Sequence, residues 1–156
     1  MEKELNFEQQ AVFYSDWIYT AVHTLCSIKA LQGVDPIAEF LQIPRPRVVE
    51  VVDWLVRHRL CTEEGGRILV GPASTFVDRD SPLAARHHGN WRQRAIEAMP
   101  KRKDTDFFFT APFSVSRTDY EEFRKELVQL IAELSKRVEK TKPELMATIN
   151  IDYFSP

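Results

Sequence analysis

Arg45, Arg47, Arg57 and Arg67 are the side chains of this 156-residue sequence whose type and spacing best suit recognition chemistry. They lie in or beside "IPRPRVVEVVDWLVRHRL", which has the spacing of the second half of a helix-turn-helix, and guanidinium groups placed there reach phosphate oxygens. The positions that would face a groove argue against a strong grip. They include Val49, Glu50 and Asp53, and two carboxylates so placed repel the DNA backbone. Trp54 and Val56 add apolar surface, so Val49, Trp54 and Val56 are expected to form an exposed interaction surface. Glu63 and Glu64 precede Arg67 at the expected hairpin tip, which suits a minor groove poorly.

Other chemistry has less to stand on. No GxxxxGK[ST], GxGxxG, HExxH, GxSxG or CxxC motif occurs, so neither an enzyme nor a cofactor site is expected. His87 and His88 are adjacent, but neither has a histidine four residues on, and packing is the expected role. His23 and His58 are isolated. Cys26 and Cys61 sit among apolar neighbours and read as buried reduced thiols, so no metal is expected. The basic run Lys101 to Lys103 is followed by Asp104 and Asp106, as at a solvated helix end. Phe107, Phe108, Phe109 and Phe113 read as strand core rather than as the wall of a ligand pocket.

These residues need elements to carry them. Apolar residues from Tyr14 to Ile28 recur every three or four positions, which predicts one long helix over 7–31, stopped by Gly33. Asp35 as N-cap and Pro36 at the first helical position predict a short helix to about Leu41. Pro46 opens a third helix that buries Val48, Val51, Val52 and Leu55 and ends near His58. "LCTEEGGRILV" is hairpin chemistry, its glycines accepting positive φ. This order is that of a winged helix, assigned to 1–73.

A Pro- and Gly-containing linker over 74–82 separates it from a second unit over 83–156. There the pattern predicts a helix from Leu83 to Met99, a strand over 106–115, a helix from Arg117 to Lys140 capped by Ser116, and an alternating strand over 145–154. The fold class is therefore α+β, a winged helix-turn-helix followed by a helix-strand-helix-strand unit. Two strands joined by a helix suit a parallel crossover pair and leave open edges, which predicts association with another copy or another protein domain.

Two resemblances bear on this reading. The third helix, "PRPRVVEVVDWLVRHRLC", resembles the pattern of winged-helix regulators such as the multiple-antibiotic-resistance family, with Val48, Val51, Val52, Leu55 and Leu60 in its core positions. The glycine that the pattern carries before its final leucine is Arg59 here, which puts the turn closing that helix in doubt. Nearly the whole chain also resembles an uncharacterised bacterial family, conspicuous in Fibrobacter and Bdellovibrio-like bacteria, whose C-terminal domain has no assigned function. The resemblance is carried in order by "YSDWIYTAVHTL", "DPIAEFLQIPRPRVVEVVDWLVRHRL", "ARHHGNWRQRAIEAM", "EEFRKELVQLI" and "INIDYFSP", where Ser155 separates the Phe from the Pro. It implies a transcriptional regulator without enzyme activity or cofactor. It also implies that a further helix-turn-helix domain can precede this region.

Charge weighs on the mechanism. The net charge is −2, and residues 1–73 hold seven basic against ten acidic side chains, a net of −3. A DNA-binding module normally has the opposite bias, because neutralising phosphates supplies most of its affinity. The expectation is a regulator whose winged helix contributes assembly and only weak DNA contact. The alternative is a winged helix used for protein interaction or dimerisation without DNA. With no long apolar run and an acidic start, the chain is expected to be cytoplasmic and off the membrane.

Overall fold

The structure, a computed structural model, describes residues 4–74 and 76–156. Thr75, inside the expected linker, lies outside that set. The described residues form six α-helices and one two-stranded antiparallel sheet. They are α1 (Phe7–Phe13), α2 (Trp17–Leu25), α3 (Val34–Leu41), α4 (Arg45–Arg57), β1 (Cys61–Glu64), β2 (Arg67–Val70), α5 (Pro82–Ala98) and α6 (Arg117–Lys140). Single 3-10 turns cover Lys29–Leu31 and Met99–Lys101.

The long helix expected over 7–31 is in fact two helices and a 3-10 turn. Asn6 caps α1 reciprocally with Gln9, and the chain breaks at Tyr14 to Asp16, where the Asp16 carboxylate accepts from the Ile18 N–H and starts α2. The apolar period runs unbroken across this break, which is why it reads as continuous. Gly33, not Asp35, caps α3, and Asp35 and Pro36 lie inside its first turn, where the Asp35 carboxylate meets the helix dipole. The α4 helix matches its periodicity: Val48, Val51, Val52 and Leu55 are all buried. It is followed by Arg59 in the left-handed region, at φ 63°. The helix-closing turn therefore forms with arginine in a conformation that favours glycine, at a cost of order 1 kcal/mol. The Leu60 N–H donates back to the Leu55 carbonyl across it, at 2.9 Å.

Gly65 and Gly66, at φ 58° and 76°, make the two-residue turn joining β1 to β2. Both central residues have positive φ, the signature of the turn whose twist suits a hairpin. Cys61 pairs with Val70 and Glu64 with Arg67. Just beyond β2, Gly71 donates its N–H to the Leu60 carbonyl at 2.8 Å.

Two compact units divide the chain, and their boundary is not the one expected at 74–82. The first holds residues 1–97 and 143–150, the second 98–142 and 151–156. Most of α5 thus belongs with the amino-terminal elements: Asn90 donates to the Tyr14 carbonyl, Trp91 donates its indole N–H to the Thr20 hydroxyl, and Asn150 donates to the Trp91 carbonyl. Phe13, Val22, Leu25, Ile37, Val48, Val51, Leu55 and Leu60 form the core of this unit, each at most 1% exposed.

The second unit differs most from expectation. Its helix α6 spans the expected residues, with the Ser116 hydroxyl accepting from the Asp119 N–H at 3.0 Å. The expected strands over 106–115 and 145–154 form no ladder among the described residues. Alternating side chains prepare an extended segment, but a ladder also needs a second strand held in register along its length, which the pattern of one segment does not supply. The aromatic run is not core: Phe107 is 87% and Phe109 78% exposed, their rings stacked with centroids 6.5 Å apart. Tyr153 donates its hydroxyl proton to the Tyr120 carbonyl at 2.9 Å and stacks on that ring.

Candidate nucleic-acid interface

The amino-terminal unit places α3, a three-residue turn, α4 and the hairpin in sequence. The outward residues of α4 include Glu50, Asp53 and Arg57, all exposed. Each of the four candidate arginines already has a partner. Arg45 pairs with Asp35, its Nε 2.8 Å from the carboxylate, in an exposed position where such a pair contributes little. Arg47 is the most committed: it reaches Glu50 at 3.1 Å and Asp16 at 3.7 Å, and lies over the Tyr19 ring at 5.5 Å. Partial burial works against its charge, but the bonds to Glu50 and Tyr19 outweigh this and raise its pKa. Arg57 turns back along its own helix to the Asp53 carbonyl. Arg67 donates to the Gln32 side chain, whose backbone carbonyl also accepts from the Ile68 N–H and anchors β2.

Three carboxylates and an amide side chain therefore occupy most of the cationic groups a phosphate would have to recruit. Beside them an open hollow of about 470 Å³ lies between the start of α3 and the hairpin tip, lined by Asp35, Arg45 and Glu63 among others. It has the same mixed charge.

The apolar interaction surface expected from Val49, Trp54 and Val56 does not stand out as an exposed patch. All three are only partly exposed, and Trp54 and Val56 pack against the core. The Trp54 indole stacks on His58 at 4.2 Å and on Phe13 at 6.3 Å, and meets Tyr19 edge-on. Its size and its position beside Leu55 let it wrap round the helix into the gap beside α1, which a helical-wheel reading cannot anticipate.

Sequence reasoning missed two features of this unit. Trp17 carries the Arg94 guanidinium over its ring at 3.9 Å and meets Trp91 edge-on, so α5 is tied to α2 by aromatic and cation contacts. The only advance signal is Trp91 standing on an otherwise polar turn beside Arg94. The second feature is a hollow of about 350 Å³ lined by Phe13, Tyr14, His23 and His87 among others. His23 Nε2 and His87 Nδ1 are buried without a hydrogen-bond partner. Burial lowers the pKa of both rings; the Leu60 backbone opposes this at His23, and the charges of His88 and Arg92 add to it at His87.

That depression has a measurable consequence. The unfolded chain takes up a proton near the ordinary histidine value of 6.5, which the folded His23 ring resists until lower pH. Its contribution is fully present above 6.5 and is lost as pH falls through the folded value. Urea unfolding between neutral and mildly acidic pH should therefore show stability declining below 6.5, and less steeply for His23→Gln. Equal slopes for the two proteins would refute this assignment.

Cys26 and Cys61 are both buried and unbridged, their sulfurs 3.6 Å apart. The hydrogen bond to Cys26 and burial push the Cys61 thiol up, which keeps it protonated. Among the described residues no three His, Cys, Asp or Glu side chains gather as a metal site, and no helix is long and apolar enough to cross a membrane.

A family model described as "Domain of unknown function (DUF4423)" matches residues 1–155. No curated protein and no solved structure matches the chain.

Proposed function

The chain belongs to the DUF4423 family, and from that premise we propose that it is a regulatory protein whose amino-terminal unit is a winged helix used mainly for assembly, with weak DNA contact. The order α2, α3, α4 and a tight hairpin supports the winged-helix reading, with α4 in the position of a recognition helix. One observation carries the mechanism: Arg45 and Arg47 are bound to Asp35, Asp16 and Glu50, and the outer face of α4 offers Glu50 and Asp53. A phosphate must displace these carboxylates before it gains a contact, and it then meets their negative charges and that of Asp53. Non-specific attraction is correspondingly small.

The carboxylates also favour a second reading, a winged helix that binds protein and never DNA. Titrating labelled duplex DNA at two salt concentrations separates the two. Under the first reading, affinity at physiological salt is no tighter than the ~10⁻⁴ to 10⁻⁶ M of non-specific complexes, and it weakens further with salt. Sub-micromolar binding that disappears in Arg45→Ala plus Arg47→Ala, or in Arg57→Ala plus Arg67→Ala, would overturn both readings in favour of a conventional DNA reader. No binding at low salt would leave the protein-interaction reading alone.

A further inference from the structure

We propose that α6 is the seam of an antiparallel, two-fold dimer, and that its occupant is α6 of a second copy of this chain. Three observations carry this. First, the helix is long and clearly amphipathic, yet none of its residues is buried. Phe123 is 40%, Leu130 47% and Val138 67% exposed, and Leu127, Ile131 and Leu134 are only half-buried. An apolar stripe on a 24-residue helix is stabilised by covering it, since isolated helices are marginal in water.

Second, the centre of the stripe has the spacing of a helix pair, with Ile131 and Val138 flanking it on one side. Tyr120, Phe123, Leu127, Leu130 and Leu134 alternate steps of three and four, the first and fourth positions of consecutive heptads, and Arg137 continues the series. The series is symmetric about its midpoint. An antiparallel copy sets Leu127 against Leu130, Phe123 against Leu134 and Tyr120 against Arg137, each contact occurring twice, as an isologous interface requires.

Third, the charges select a copy and its direction. The first two turns hold Asp119, Glu121 and Glu122 against Arg117, a net of −2, and the last two hold Lys136, Arg137 and Lys140 against Glu139, a net of +2. Antiparallel pairing brings each acidic end to the other's basic end, with Asp119 near Lys140. A parallel pair would place like ends together and press Arg137 against Arg137 inside the seam. The one like-charged contact of the antiparallel register, Glu126 with Glu133, lies on the flank, where water screens it.

The test needs no DNA, so it stands apart from the reading of the amino-terminal unit. Light scattering of the full chain should give twice the monomer mass, falling to the monomer in Leu130→Glu with helix content unchanged. Because that variant could act through misfolding, Phe123→Cys and Leu134→Cys are also made separately and mildly oxidised, alone and mixed. The expected result is a 123–134 cross-link, identified by peptide mass spectrometry, in the mixture and in neither variant alone. A monomeric native chain, a cross-link formed by Phe123→Cys with itself, or an uncross-linked mixture would overturn the proposal.

Discussion

Replacing Phe13 with alanine should lower the unfolding free energy by about 3–5 kcal/mol, the range for deleting a buried aromatic ring from a close-packed core. Phe13 is 1% exposed and is the one buried residue of α1, a helix of seven residues too short to persist without tertiary packing. Its ring meets Tyr14 edge-on at 5.0 Å and His23 edge-on at 6.0 Å, and stacks on Trp54 at 6.3 Å. The substitution leaves a void facing three aromatic neighbours and removes the side chain that holds α1 to α2 and α4. Urea unfolding followed by tryptophan fluorescence should show a lower midpoint with an unchanged slope. A loss below about 1 kcal/mol would mean that α1 is held by something other than this ring.

Gly71→Ala should be the most damaging change of a single methyl group, costing about 2 kcal/mol or more. A Cβ at this position would lie 2.3 Å from the Arg59 carbonyl oxygen, 2.9 Å from its carbon and 3.0 Å from the Cys61 nitrogen. All three are backbone atoms of the turn leading from α4 into β1, so none can swing aside. Relief requires moving the exit from β2, which breaks the Gly71 N–H bond to Leu60 and the Ala73 N–H bond to Arg59. Gly89→Ala is the control. That glycine lies within α5, where an added methyl group meets no other part of the protein within 4 Å, so the same substitution there should be neutral or stabilise by about 0.5–1 kcal/mol. Calorimetry of the two variants should move the melting temperature down for position 71 and not for position 89. Matching shifts would show that close approach is not what position 71 needs.

Local chemistry was legible wherever the forces that shape an element lie within a few residues of it. The Gly65–Gly66 turn, the Ser116 cap, the buried face of α4 and the limits of α6 all follow from positive-φ tolerance, a hydroxyl near an unpaired N–H, and periodicity. The break between α1 and α2 was not legible, because Asp16 competes with helix continuation inside an apolar period that fits either outcome. Nor was the engagement of Arg47, which is set by Asp16 and Tyr19, both distant from it in the chain.

What the sequence determined by itself was therefore the placement of α4 and the hairpin, the amphipathic character of α6 and the net acidity of residues 1–73. Only the tertiary structure decided which arginines are occupied, that Trp54 turns inward, that α5 joins the amino-terminal unit, and that 106–115 and 145–154 make no ladder. The division has one physical cause. Caps, turns and periodicity are properties of neighbouring residues, whereas a strand, an ion pair or a covered ring exists only when a distant part of the chain, or another chain, supplies the second half of the contact.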